Sequence, residues 1–110
     1  MKRNLGLTDV GIGTITMSQF HVIESHNHDE RRFDIAYVGI VSGSGSIQSI
    51  PEENLFTDSY AVIEKGGYVL RGTGSENQGK YARLYVDHFF KNDEGEIIGA
   101  EVKYQYPFIP

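Results

Sequence analysis

The stretch Tyr81-Ala82-Arg83-Leu84-Tyr85-Val86-Asp87-His88-Phe89-Phe90 alternates with a period of two. One parity carries Ala82, Leu84, Val86, His88 and Phe90, and the other carries Tyr81, Arg83, Tyr85, Asp87 and Phe89; the first is the more apolar. A period of two is the side-chain repeat of a β-strand, so this stretch reads as a strand whose first parity faces a core. Nowhere do apolar residues recur at helical spacing over successive turns, whereas alternation returns along the chain from Val10 onward. The protein therefore reads as all-β, with no substantial helix.

Working outward, residues 91–95 form a turn and residues 97–106 a strand that Pro107 ends. This strand sets Ile98, Ala100, Val102, Tyr104 and Tyr106 against Glu101, Lys103 and Gln105, so the former should face inward. Upstream, residues 56–64 alternate with Ala61 and Ile63 inward. The step Lys65-Gly66-Gly67 into Tyr68-Val69-Leu70 predicts a tight hairpin, because glycine supplies the positive φ such turns need. Residues 33–41 are apolar on both parities, with Phe33, Ile35 and Tyr37 on one side and Ala36, Val38 and Ile40 on the other. Such a strand must be covered on both faces. Residues 42–46 (Ser-Gly-Ser-Gly-Ser) read as a turn or bulge inside one domain. Residues 12–23 read as one long or bulged strand with Ile15, Met17, His21 and Ile23 inward, and the polar residues 24–32 as an exposed connection. Short connections with no helix to cover a sheet face are best satisfied by a closed antiparallel barrel or a sandwich; closure also removes exposed edges, so a closed barrel of about seven or eight strands is expected, whose interior holds side chains or one small ligand.

Composition bounds the rest. The 110 residues, 39% of them hydrophobic, make a single domain over residues 1–110. A net charge of −5 and the lack of any basic cluster beyond Lys2-Arg3 and Arg31-Arg32 argue against nucleic acid as a partner. Without cysteine there is no disulfide, no thiolate nucleophile and no Cys-ligated metal. The longest apolar run, residues 35–41, falls far short of the ~20 residues of a membrane helix, which argues against a membrane partner. Residues 5–15 are interrupted by Gly and Asp and hold no continuous signal-peptide core, so a cytoplasmic protein is expected.

Several patches resemble a known family. They are the strand into a Gly-rich turn at residues 37–45, the run from Tyr60-Ala61-Val62-Ile63 to Gly66-Gly67-Tyr68-Val69-Leu70-Arg71-Gly72, the segment Gly79-Lys80-Tyr81-Ala82-Arg83-Leu84, and the closing residues 102–106. Together they resemble an uncharacterised family of small bacterial proteins whose barrel is similar to that of allene oxide cyclase. The resemblance implies a compact barrel and leaves room for isomerase- or cyclase-type chemistry. It carries no catalytic residue across.

Three functional readings follow from the residues. In the first, His21, Tyr68, His88, Tyr104 and Tyr106 place polar tips among aliphatic walls and bind an apolar or aromatic small molecule in the barrel lumen. In the second, His26-Asn27-His28-Asp29-Glu30 presents two imidazoles on one strand face, and His26, His28 and His88 hold a divalent metal as in a cupin-like enzyme. Arg31-Arg32 and the early position of Glu30 weigh against it. In the third, the protein is a non-catalytic structural module whose strand at residues 33–41 is covered by a neighbouring subunit, making a homo-oligomer, most simply a two-fold dimer. No cofactor is called for: residues 74–80 have phosphate-loop spacing, but Tyr81 stands where Ser or Thr is needed and a strand follows instead of a helix. Asp87 and His88, adjacent on a strand, should point to opposite faces and so not cooperate. Enzyme and binder stay equally open.

Overall fold

The computed structural model describes residues 6–10, 12, 14–17, 22–25, 32–73 and 78–110. Strands form at β1 (Gly6–Asp9), upstream of the alternation, and, where alternation and β-branched residues lead, at β2 (Thr14–Met17), β3 (Val22–Ser25), β4 (Phe33–Ile40), β5 (Ser59–Ala61), β6 (Gly66–Gly72), β7 (Tyr81–Lys91) and β8 (Ile97–Gln105). The described residues contain no α-helix, only single 3-10 turns at Ser44–Ser46 and Glu53–Leu55.

The strands make two antiparallel sheets, ordered β1-β2-β3-β5 and β4-β6-β7-β8. Both sheets are open. The expected closed barrel is therefore corrected to a pair of open sheets, which approach at one corner where the Ile35 and Thr57 backbones exchange N–H···O bonds of 2.8 Å. The reason lies in the turn at Lys65. The chain does reverse tightly there, with the Gly66 N–H donating to the Ile63 carbonyl at 2.9 Å. Yet the strands on either side part company: β5 pairs with β3, whereas β6 pairs with β4 and β7. A turn that hands the chain from one sheet to the other is a corner, not a hairpin, and it leaves the sheets unjoined. Positive φ falls on Lys65 (68°), while the glycines serve close approach. A Cβ on Gly66 would sit 2.8 Å from the Ile63 carbonyl oxygen, and one on Gly67 would sit 2.9 Å from Val41 Cγ2.

Residues 12–23 are likewise not one strand. Met17 of β2 lies opposite Ile23 of β3, so the chain has reversed between them.

The sheets share one core. Ile15 and Ile23 of the first sheet pack with Phe33, Ile35, Tyr68, Leu70, Ala82, Leu84 and Val86 of the second, sealed by Val10, Ile12 and Val62. Each large aliphatic side chain buried in this way contributes about 1.5–3 kcal/mol. The space that a barrel would offer as a lumen is occupied by these side chains. Tyr68 ties the corner to the core: its hydroxyl donates to the Ala61 carbonyl at 2.6 Å and accepts from the Ile63 N–H at 2.9 Å.

The second sheet is covered on its outer face as well. Ile47, Val69 and Phe108 form a smaller core there, with Val41, Ile50, Phe56 and Tyr81 against it. The Arg71 and Arg83 guanidinium groups lie over the Phe56 and Phe108 rings at 4.3 and 5.1 Å. Ala36, fully buried, is paired with Val69 and shares that face. The chain's own residues 41–56 and its C-terminal segment thus supply the cover over Ala36, while Val38 and Ile40, further along β4, remain 36% and 64% exposed.

Candidate functional site

One group of chemistry-bearing side chains, Asp87, His88 and Glu101, gathers on the β7–β8 ribbon, and a β-bulge shapes it. Ala82, Leu84 and Val86 face the core as their parity predicts. The register then slips: Val86 is opposite Val102, but His88 is opposite Glu101. One extra residue reverses the parity of everything beyond it. Phe89, opposite Ala100, therefore packs against the core, while His88 and Phe90 turn to the outer face. The inward placement expected for His88 is corrected accordingly; its side chain is 42% exposed.

The bulge also overturns the expectation that Asp87 and His88 stay apart. His88 Nδ1 lies 3.1 Å from Asp87 Oδ2, and Lys65 Nζ lies 3.3 Å from Asp87 Oδ1. Phe90 meets the His88 ring edge-on, with centroids 4.9 Å apart. Beside them, Glu64 accepts the Phe89 N–H at 2.9 Å. The hydrogen bond to His88 foremost, and then the Lys65 ammonium, hold the Asp87 carboxyl below its ordinary value of 3.8. Asp87 in turn raises the Lys65 ammonium.

Asp87, His88 and Glu101 bring one ligand-capable atom each within 4.8 Å of one another. In principle these three could share a divalent cation. The Lys65 ammonium already satisfies Asp87, however, and its charge opposes a second cation at the same oxygen.

Glu101 and Lys103 share the outer face of β8, opposite His88 and Tyr85, whereas Val102 and Tyr104 lie opposite Val86 and Leu84 on the core side. Tyr104 is still 47% exposed, because β8 is the last strand of its sheet. Of the residues expected around a lumen, Tyr68 is inside the core and Tyr106 packs at its margin. His21, His26 and His28 lie outside the described residues, so of the two histidine sets only His88 has a described place.

Two features had no sequence signal. Tyr37 stacks on Tyr60 at 5.0 Å and meets Tyr68 at 5.4 Å, joining β4, β5 and β6 where the sheets meet. A shallow cleft of about 370 Å³ lies between Glu24, Ser25, Arg32, Phe33, Asp34, Asp58 and Thr73. Its Asp34 carboxylate already faces Arg71 at 3.5 Å. Both features are made by residues far apart in the chain, which alternation cannot bring together.

No helix among the described residues is long and apolar enough to cross a membrane. Compared with known proteins, the chain matches no family model, no curated protein and no solved structure.

Proposed function

We propose that the protein is a non-catalytic structural module that associates with copies of itself through the open edge of its second sheet. The observation that carries this reading is β8, a nine-residue strand that ends the sheet and pairs with no other described strand along its outer edge. Two of its large apolar side chains, Ile98 and Tyr104, are 39% and 47% exposed. An edge of that length is a ready template for another strand. The interior supports the same reading, since the shared core is filled by side chains and both functions of the Tyr68 hydroxyl are spent on backbone groups. No buried side-chain nitrogen or oxygen among the described residues lacks a partner, so no polar group is held in reserve for an interior ligand.

Native mass spectrometry together with light scattering, over micromolar to submillimolar protein, tests the reading. A dimer or higher oligomer with no mass beyond the polypeptide is expected. A monomer at every concentration overturns it, and a monomer retaining a few hundred daltons of organic mass would return the protein to small-molecule binding.

A further inference from the structure

The edge of β8 is self-complementary in one register, and we infer that two copies of the chain pair through it, antiparallel about a two-fold axis at Val102. This rests on the oligomeric reading above and specifies its contact.

When a strand meets its own copy about a two-fold axis, the residue on the axis faces itself, and neighbours on either side face each other. Centring on Val102 sets Glu101 opposite Lys103 of the second copy, and Lys103 opposite Glu101 of the second copy. Both pairs lie on the outer face, where the structure already places these side chains. On the core side, the exposed Tyr104 comes opposite Ala100 of the second copy. Shifting the axis to Glu101 or to Lys103 makes like charges meet, which opposes pairing, and moving it to Ala100 leaves both charges without a mate. A lysine on an edge strand ordinarily discourages association. Here the glutamate two positions before it converts that barrier into a choice of register.

The other edges fit less well. β5 is three residues long and β1 four. β4 is bridged at Ile35 by Thr57 and bulged between Tyr37 and Gly39. β8 alone offers a long run of backbone for pairing among the described strands, and joining two copies there makes one continuous eight-stranded sheet from the four strands of each.

Charge reversal tests the register on the intact chain. In Lys103→Glu, carboxylates at 101 and 103 face each other across the axis, and the dimer dissociation constant read by light scattering or sedimentation should rise about tenfold or more. In the double variant Glu101→Lys with Lys103→Glu the pairs are restored with exchanged signs, and the dimer should return. Lys91→Glu, an exposed reversal on β7, serves as the control and should leave association unchanged. Circular dichroism and thermal unfolding verify that each variant is folded. A wild-type monomer overturns both this inference and the oligomeric reading. A wild-type oligomer that ignores Lys103→Glu, or that the double variant fails to rescue, overturns the β8 register while leaving the oligomeric reading in place.

Discussion

Tyr68 carries more of the fold than its parity alone conveys. Alternation places it inward, and it is fully buried, but its weight comes from a hydroxyl that clamps both Ala61 and Ile63 across the corner between the sheets. Tyr68→Phe keeps the ring and removes two hydrogen bonds to the part-buried Ile63 N–H and Ala61 carbonyl, so it should cost about 0.5–1.5 kcal/mol in urea or thermal unfolding. An unchanged midpoint would show that the clamp is idle. The same residue shapes the alkaline limb of stability. Burial, foremost, raises its phenol above the ordinary value of 10.0, so the folded state favours the neutral form. That contribution is whole below pH 10 and is lost as the pH rises beyond it; Tyr68→Phe should lack this share of the alkaline loss. His88 shows the opposite relation to sequence. Nothing in Val86-Asp87-His88 announces an inserted residue, yet the bulge there decides which way His88 and Phe90 point and whether Asp87 can reach the imidazole. Parity is a local rule, and a bulge is chosen by the partner strand as much as by the bulged one.

Among the elements, β4 was legible in its demand and not in its solution. Apolar residues on both parities required cover on both faces, and a neighbouring subunit was one reading of what supplies it. Over Ala36 the connection after β4 folds back with Ile47, Ile50 and Phe56, and Phe108 arrives from the far end of the chain, while Val38 and Ile40 stay exposed. Phe108→Ala should therefore destabilise the monomer by roughly 3–5 kcal/mol, as removal of a buried aromatic does. A loss below about 1 kcal/mol in urea unfolding would mean that the outer cover adds little. The elements around residues 12–23 and Lys65 show a second limit. The strands and turns were visible in composition, but a reversal between Met17 and Ile23, and a turn whose two arms enter different sheets, depend on pairings with distant residues.

At the scale of the whole molecule, two sheets that bury their inner faces against each other have no separate cores on which to unfold. Far-ultraviolet and tyrosine near-ultraviolet circular dichroism should follow one coincident transition in urea. Two separated transitions would show that the sheets are independent units. The sequence by itself determined the all-β class, the strand positions from β4 to β8 in outline, and the inward parity of Leu84, Val86, Tyr68 and Leu70, because a strand's repeat is written in neighbouring residues. Only the tertiary structure decided that the sheets stay open, that β7 bulges at Asp87, and that β8 ends its sheet among the described strands. Those outcomes turn on which strand hydrogen-bonds to which, a choice set by packing between residues distant in the chain, and it is that choice which exposes the edge on which the proposed association depends.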